Sequence, residues 1–192
     1  MSLVIQKAQV GDVPAIASLV NDYAEQGRML HRGRSEIYER LRDYHVVRTE
    51  GGVDGVGALR VMTWDLAEIY ALAVRPDAVG RGLGRRLVDA LINEARQLGI
   101  GRLFALTYER AFFERCGFEV VDRHQALPVK VWSECVRCSK REACDEIAMV
   151  RRVEGVRPLS PPAQIPSETP VRMPVLSETM RRIDRSASSD NP

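Results

Sequence analysis

The sequence contains no apolar run that approaches the ~20 residues of a membrane-spanning helix. Its first residues, Met1–Lys7, lack the apolar core and cleavage site of a signal peptide. Net charge is also small, because 28 Lys and Arg against 26 Asp and Glu leave +2, which argues against a nucleic-acid-binding protein. These absences predict a cytoplasmic protein with no membrane or nucleic-acid partner. The 192 residues suit one globular domain.

Cysteine is scarce, with four residues in the chain. Three of them form a cluster, Cys135, Cys138 and Cys144, which argues against a disulfide framework. C-x-x-C is a common half of a zinc site, and zinc prefers four ligands. Three interpretations stay open: a zinc site completed by a fourth ligand, reduced structural thiols, and a redox switch.

Aromatic residues are absent from the end of the chain. The eleven aromatics (four Phe, two Trp, five Tyr) all lie before position 150, whereas seven of the ten prolines lie after it. Such a segment cannot bury enough apolar surface to offset the entropy lost on ordering. We therefore predict a folded domain over 1–154 and a disordered, Pro/Ser-rich tail over 155–192.

Within the domain, runs rich in β-formers alternate with helical stripes. Gly51–Gly52 and Asp54–Gly55 indicate a hairpin turn. Ala67–Val74 is a nearly continuous apolar run, typical of a central strand covered on both faces. The stretch 87–98 carries apolar residues at helical spacing, and Gly99 is suited to end that helix. The pattern predicts a mixed α/β domain.

A glycine-rich loop separates the central strand from this helix. Without Cβ atoms, the backbone at Gly80, Gly82 and Gly84 can approach a ligand closely, and the amides of a helix N-terminus bind anions. Arg81 and Arg85 add positive charge. The loop therefore predicts a pyrophosphate site. No Lys follows the glycines as a Walker loop needs, and Arg85 interrupts the dinucleotide pattern G-x-G-x-x-G.

Two motifs carry a resemblance to the GCN5-related N-acetyltransferase (GNAT) superfamily. Val79–Gly84 resembles its acetyl-CoA loop, [QR]-x-x-G-x-[GA], and departs from it at Val79. Phe112–Phe118 is similar to its late F-[FY]-x-x-x-G-F signature. The resemblance covers everything but the tail. It implies the GNAT fold, a central mixed, mostly antiparallel twisted sheet of about seven strands flanked by about four helices.

The resemblance also implies a donor site for acetyl-CoA. In those folds the central strand splays from its neighbour, and pantetheine pairs with the exposed backbone edge. Pantetheine would then lie along Leu72, Ala73 and Val74. The residues implied for the pyrophosphate are Val79, Gly80, Arg81, Gly82, Leu83, Gly84 and Arg85.

Further segments are similar to the short, single-domain N-acetylglutamate synthases, which acetylate the α-amine of L-glutamate at the head of arginine biosynthesis. These segments are 65–69, 72–74, 106–108 and 127–132. The sequence departs at Tyr70, where Arg is expected, and at Val129, where His is expected. The alternatives are a GNAT enzyme for another small amine or a protein N-terminus, and a non-catalytic sensor of acyl-CoA or zinc.

Acetylation of an amine needs a base for the ammonium proton and an acid for the leaving thiolate. Glu68 opens the central strand in an otherwise apolar run, where burial would raise the pKa of its carboxyl and suit it to be the base. Family members commonly place a Tyr acid at the position of Phe113, which cannot donate a proton. Tyr108, at the end of the next predicted strand, is the substitute.

A glutamate acceptor carries two carboxylates, and the planar guanidinium of Arg is their natural partner. By the resemblance, Arg32 matches an Arg of the family's early motif. Arg34, Arg60 and Lys130 are further candidates for acceptor binding. The sequence does not specify the oligomeric state, and a homodimer is one option.

Overall fold

A computed structural model describes residues 4–128, 131 and 144–157. These residues belong to one compact unit, Met1–Ser160. Most of the tail predicted to be disordered lies outside the described residues, so the domain boundary at 154 stays a prediction. Within the described ranges no helix is long and apolar enough to span a membrane.

The described strands form a single seven-stranded sheet with the order β1-β2-β3-β4-β5-β7-β6. In chain order they are β1 (Val4–Lys7), β2 (Tyr44–Thr49), β3 (Gly52–Val61), β4 (Leu66–Val74), β5 (Arg102–Thr107), β6 (Glu119–Val120) and β7 (Ile147–Arg152). All neighbouring strands are antiparallel except β4 and β5, which run parallel. The predicted mixed, mostly antiparallel sheet is confirmed.

Five α-helices lie in the described residues, one more than the sequence predicted. They are α1 (Val13–Glu25), α2 (Arg34–Glu39), α3 (Leu83–Gln97), α4 (Arg110–Arg115) and α5 (Arg123–Ala126). The additional one, α5, is a single turn capped by the preceding residue, Asp122, whose carboxylate accepts from the His124 backbone N–H at 2.8 Å. Gly99 follows α3 with a φ of +76°, which confirms the predicted helix end.

Helices cover both faces of the central strands. Successive side chains of a strand point to opposite faces. Ile69 of β4 accordingly belongs to the core cluster that contains Leu91 of α3, whereas Tyr70 belongs to the cluster that contains Val20 of α1. This double coverage explains why β4 reads as an almost unbroken apolar run.

The predicted hairpin is present, with its turn at Glu50–Gly51 between β2 and β3. Asp54 and Gly55 are not part of this turn, because both lie within β3, which begins at Gly52. The glycine at position 55 serves packing instead of a turn. A Cβ atom there would lie 3.1 Å from Leu87 Cδ1 of α3, closer than side chains normally approach. The absence of a side chain therefore lets α3 settle directly on β3.

Candidate active site

The central sheet opens between its two parallel strands. β4 pairs with β5 at Leu66, Ala67 and Glu68, and the pairing stops after the Glu68–Phe104 position. β4 nevertheless continues to Val74, while β5 continues to Thr107 and pairs on its other side with β7. The far ends of β4 and β5 therefore enclose a gap bordered by a strand edge. We refer to this gap as the opening.

A β-bulge shapes the edge of β4 along the opening. Between the pairs that join Val56 to Ala73 and Ala58 to Tyr70, the single residue Gly57 faces both Ala71 and Leu72. Ala71 has a φ of +49°, a left-handed conformation that is uncommon for a residue with a side chain. Bulges redirect the backbone, and this one lies where the predicted pantetheine edge begins.

The backbone of Val74 points into the opening. The next amide, that of Arg75, donates to the Asp54 carbonyl of β3 at 2.8 Å. Because backbone groups of consecutive strand residues alternate in direction, the N–H and C=O of Val74 point away from β3. The Val74 carbonyl there accepts a hydrogen bond from the Tyr23 hydroxyl at 2.7 Å.

The glycine-rich loop brings α3 to the same end of β4. Gly80 and Gly82 have φ values of +85° and +76°, which favour glycine, and nothing lies within 4 Å of the place of a Cβ atom at either. The first helical hydrogen bond runs from the Arg86 amide to the Gly82 carbonyl at 3.1 Å. The amides of Leu83, Gly84 and Arg85 precede it and point out of the helix end. This arrangement suits an anion.

The side chains of the loop differ in their freedom. Val79 is 62% exposed, so the residue that departs from the family pattern makes no core contact that would require it. Arg81 is exposed. Arg85 donates from Nε to Asp89 at 3.1 Å and from Nη1 to the Arg115 carbonyl. A Cβ atom at Gly84 would lie 3.3 Å from the Phe112 ring, so this glycine lets α4 pack against α3.

On the α1 face, Glu68 lies where the opening begins. The side chain of Glu68 is only 10% exposed, and Arg60 of β3 donates to its Oε2 from Nε at 3.1 Å and from Nη2. The prediction that Glu68 lies in apolar surroundings therefore needs correction, because a guanidinium faces it across the strand pair. Arg60, a candidate for acceptor binding by sequence, therefore pairs with Glu68 in the structure.

Tyr70 lies two residues further along β4 and forms the centre of a polar cluster. Its hydroxyl donates to Asp43 Oδ2 at 3.0 Å. The guanidinium carbons of Arg32 and Arg60 lie 5.3 and 5.4 Å from its ring centroid, within cation–π range. Burial raises the pKa of the Tyr70 hydroxyl, and the neighbouring Tyr44 and Asp43 raise it further. Burial also raises the pKa of the Asp43 carboxyl.

Arg32 is buried despite its charge, with 6% of its surface exposed. Its Nη1 pairs with Glu36 one helical turn later. Its backbone N–H and C=O are both bonded to the Asn21 side chain, at 2.9 and 3.0 Å. The structure therefore brings Arg32, Arg60, Glu68 and Tyr70 together on one face of the sheet.

Tyr108, Phe113 and Lys130 remain from the sequence analysis. Tyr108 directly follows β5, whose end borders the opening. Burial and a hydrogen bond to Asp145 raise the pKa of its hydroxyl. Phe113 packs edge to face against Phe112 and Phe118 in the core, at 5.2 and 5.1 Å between ring centroids. Lys130 lies outside the described residues.

The cysteine cluster is only partly described, since Cys135 and Cys138 lie outside the described residues. Cys144 is half-buried, with its Sγ 3.9 Å from Glu146 Oε2. Within residues 4–128, 131 and 144–157, no three His, Cys, Asp or Glu side chains gather as metal ligands would. The predicted zinc site therefore gains no support.

Sequence reasoning missed several residues of this site. Asp43 and Glu36 hold Tyr70 and Arg32, and Tyr23 contacts the edge of β4. For Tyr23 a weak signal existed, because it extends the apolar stripe of α1 with a polar tip. Asp43 had none, since only the folding of the chain before β2 carries it to Tyr70.

Comparison with known proteins assigns this architecture. Residues 14–118 match the acetyltransferase (GNAT) family. The chain belongs to the GNAT family. The matched range runs from α1 through the opening and the glycine-rich loop to the residue before β6, so it contains most of the site described above. The protein is an N-acetyltransferase.

Two curated relatives resemble this acetyltransferase over much of its length. An uncharacterized N-acetyltransferase of Chlorobaculum tepidum is 37% identical over 77% of this chain and 94% of its own. The amino-acid acetyltransferase of Mycobacterium tuberculosis is 39% identical over 62% of this chain and 70% of its own. Both relatives support the assignment of this chain to the acetyltransferase family.

A solved structure is similar as well. The N-acetylglutamate synthase of Neisseria gonorrhoeae, complexed with coenzyme A and N-acetyl-glutamate, matches with a TM-score of 0.72 and 32% identity. The match covers 80% of this GNAT chain and 35% of the gonococcal one. The chain therefore corresponds to about a third of that larger protein.

Proposed function

We propose that the protein transfers an acetyl group from acetyl-CoA to the α-amine of an amino acid, and that L-glutamate is its acceptor. The observation that carries the proposal is the opening between β4 and β5, whose edge leads directly to the N-terminus of α3. A thioester with a pantetheine arm and a pyrophosphate needs these two features in this order.

For the donor, we propose that pantetheine lies along Leu72, Ala73 and Val74. The inward-pointing N–H and C=O of Val74 support this placement, because a pantetheine amide can pair with them as a strand would. The pyrophosphate would bind the amides at the start of α3. The residues proposed to surround it are Val79, Gly80, Arg81, Gly82, Leu83, Gly84 and Arg85. The coenzyme A bound to the gonococcal relative supports this donor.

For the chemistry, we propose that Glu68 receives the ammonium proton of the acceptor, directly or through a water molecule. Its burial at the start of the opening supports the role, and the Arg60 pair orients its carboxylate. The neutral amine then attacks the thioester carbonyl. A new C–N bond forms, and the carbonyl electron pair moves onto the oxygen. When that pair returns, the C–S bond breaks, coenzyme A leaves as a thiolate, and the nitrogen loses its second proton.

The oxyanion and the leaving thiolate need further groups. The bulge at Ala71 supports a backbone amide from Leu72–Val74 as the oxyanion donor, because its amides are fixed before substrate arrives. We propose Tyr108 as the acid that protonates the thiolate. Its raised pKa keeps the hydroxyl protonated at neutral pH, as an acid requires. The phenolate left on Tyr108 then takes up, through water, the second proton that the nitrogen loses as the amide forms.

For the acceptor, we propose that Arg32 binds a glutamate carboxylate, with Lys130 as a second cation. Arg32 already pairs with Glu36, but a guanidinium has five N–H donors and can serve two carboxylates. Arg32 lies beside the ring of Tyr70, and Tyr70 is two residues after Glu68 on β4, so Arg32 is near the proposed base. The N-acetyl-glutamate bound to the gonococcal relative supports glutamate as the amino acid.

One observation favours a second acceptor class. Where glutamate-specific relatives are expected to have Arg, this chain has Tyr70, whose hydroxyl already donates to Asp43. Tyr70 therefore offers no cation, and the pocket carries the carboxylates of Glu36, Asp43 and Glu68 around two arginines. An amino acid with a neutral side chain, such as glutamine, would fit this balance.

The test is an acceptor screen with acetyl-CoA, monitored by release of the coenzyme A thiol. It covers the twenty amino acids and a short peptide with a free N-terminus. We expect glutamate to give the highest kcat/KM. Acetylation of another amine but not of glutamate would reject the acceptor and retain the reaction. Coenzyme A binding without thiol release from any amine would instead indicate a sensor.

A further inference from the structure

Three side chains connect the two sides of the opening. Tyr23, near the end of α1, donates to the Val74 carbonyl at 2.7 Å. The guanidinium carbon of Arg28 lies 4.8 Å from the Tyr23 ring centroid, and its Nη2 pairs with the Glu109 carboxylate. Glu109 follows β5 and is held there by its backbone N–H, which donates to Thr107 Oγ1 at 2.9 Å. We refer to Tyr23, Arg28 and Glu109 as the cleft bridge.

The cleft bridge crosses at the position where the strand edge is unpaired. Val74 is the last residue of β4, and Glu109 is two residues beyond the end of β5. The bridge therefore links the ends of the two strands that separate after Glu68. Tyr23 lies in α1, Arg28 lies in the segment after α1, and Glu109 lies after β5. No side chain of the bridge therefore comes from within β4 or β5.

Tyr23 approaches Val74 from one face of the sheet. Its ring packs on the core cluster that contains Val20 and Ala73, on the α1 side. A carbonyl oxygen accepts two hydrogen bonds. The Tyr23 hydroxyl occupies one acceptor position of the Val74 carbonyl, on the α1 face of the sheet. The second position stays available for a ligand amide that lies in the plane of the sheet, between β4 and β5.

We propose that Tyr23 is a positioning residue for the acetyl donor and that Arg28 and Glu109 hold it in place across the opening. The proposal rests on the proposed function, because it takes pantetheine to pair with Val74. The Tyr23 hydroxyl fixes the direction of the Val74 carbonyl, the Arg28 guanidinium holds the Tyr23 ring, and Glu109 anchors Arg28 to the β5 side. These contacts act on donor binding, not on the chemical step.

The first test is Tyr23→Phe, which removes the hydroxyl and keeps the ring. We expect the Kd for coenzyme A and the KM for acetyl-CoA to rise about three- to tenfold, the range for loss of one neutral hydrogen bond. The kcat and the KM for the acceptor should stay within about twofold of wild type. Tyr38→Phe is the matched control, because Tyr38 is 46% exposed and lies outside the opening's edge. It should leave all four constants unchanged.

The second test examines the ion pair of the bridge. Arg28→Gln and Glu109→Gln should each raise the KM for acetyl-CoA about two- to fivefold, and the double variant should be no worse than the stronger single one, because both remove the same pair. Glu114→Gln is the control. It breaks the Arg110–Glu114 pair, which has a separation of 2.8 Å and similar exposure but stays within α4.

The outcomes separate the two proposals. If wild type binds coenzyme A and Tyr23→Phe binds it equally well, the bridge has no positioning role and the proposed function stands. A fall in kcat at unchanged KM also overturns the inference, since Tyr23 would then act on the chemical step. If wild type binds no coenzyme A, the donor assignment fails and the inference fails with it.

Discussion

Arg60 lies directly opposite Glu68 in the register of β3 and β4, and two of its nitrogens donate to the same carboxylate oxygen, Oε2. A residue pair in adjacent strands is held by the sheet itself, so the orientation of Glu68 is fixed before any substrate arrives. The pair therefore suits the proposed base.

Glu68→Gln preserves shape and removes basicity. We expect kcat to fall about 100-fold or more, because the ammonium of the acceptor then loses its proton to solvent. The loss should shrink as pH rises and free amine becomes available. Steady-state kinetics from neutral to alkaline pH measure this. Asp65→Asn is the control, since it breaks the Arg102–Asp65 pair at the closed end of the same strands. A kcat near wild type at neutral pH would assign Glu68 a structural role.

Gly82→Val places a side chain where the pyrophosphate is proposed to bind. We expect the affinity for coenzyme A to fall at least tenfold, about 1.4 kcal/mol. The substitution also strains a residue whose φ is +76°, and Gly99→Val matches that strain, because Gly99 has the same φ and open space beside it at the other end of α3. Calorimetric titration of both variants measures the affinities. Equal affinities in the two variants would reject the loop as the pyrophosphate site.

Arg32→Lys keeps the charge and loses the planar fork. We expect the KM for glutamate to rise about tenfold, by about 1.4 kcal/mol, with little change in the KM for acetyl-CoA. Arg34→Lys is the control, because Arg34 is exposed and only two residues away. Kinetics with glutamate, glutamine and aspartate measure the effect. Parallel rises in both KM values would point to a general disturbance of the fold.

The lowered pKa of His45 predicts how the free energy of unfolding depends on pH. Burial against α3 and, to a lesser extent, the charge of Lys7 lower the pKa of His45 from 6.5 to about 4. Glu94 lies 3.5 Å from its Nδ1 but already pairs with Lys7. The unfolded chain therefore binds a proton at pH values where the folded chain does not. Keeping His45 neutral therefore costs no free energy of unfolding well above pH 6.5. As pH falls from 6.5 toward 4, the free energy of unfolding decreases, by at most about 3 kcal/mol.

The measurement is urea unfolding of wild type and His45→Gln across this pH range. The variant should lose less stability than wild type between neutral pH and the folded-state pKa. His31→Gln is the control, because the side chain of His31 is 58% exposed. Identical pH profiles for wild type and His45→Gln would contradict the assignment.

The domain boundary gives a prediction about truncation. We expect a chain that ends at Val156 to fold and turn over like the full-length protein, because the removed segment has no aromatic residues and many prolines. Val156 itself packs against the core cluster beneath α3, so the cut retains that contact. Thermal unfolding and kcat/KM measure the outcome. A Tm lowered by more than a few degrees would place part of the tail on the domain.

The mixed, mostly antiparallel sheet and the opening were predictable because local signals agreed with the family resemblance. Ala67–Val74 had the apolar run of a central strand, and Gly82 and Gly99 marked both ends of α3. The prediction failed where packing, and not the local sequence, determines the structure. Asp54–Gly55 has turn chemistry, but α3 needs a residue without a side chain at that point of β3.

The polar cluster around Tyr70 was less predictable. Its partners come from three separate segments: Arg32 before α2, Asp43 before β2 and Arg60 on β3. No spacing in the sequence relates them, since only the pairing of β3 with β4 and the packing of α2 bring them within reach. Sequence reasoning could name charged candidates but could not decide which carboxylate each arginine contacts.

The opening leaves the sheet one segment short. After Glu68, the edge of β4 that faces β5 carries backbone N–H and C=O groups that do not pair with β5. In a continuous sheet, a neighbouring strand would form hydrogen bonds with these groups. In the proposed function, the pantetheine arm supplies that missing segment. The coenzyme would then be a temporary part of the protein's own architecture, and its arrival and departure would assemble and dismantle the centre of the sheet in each turnover.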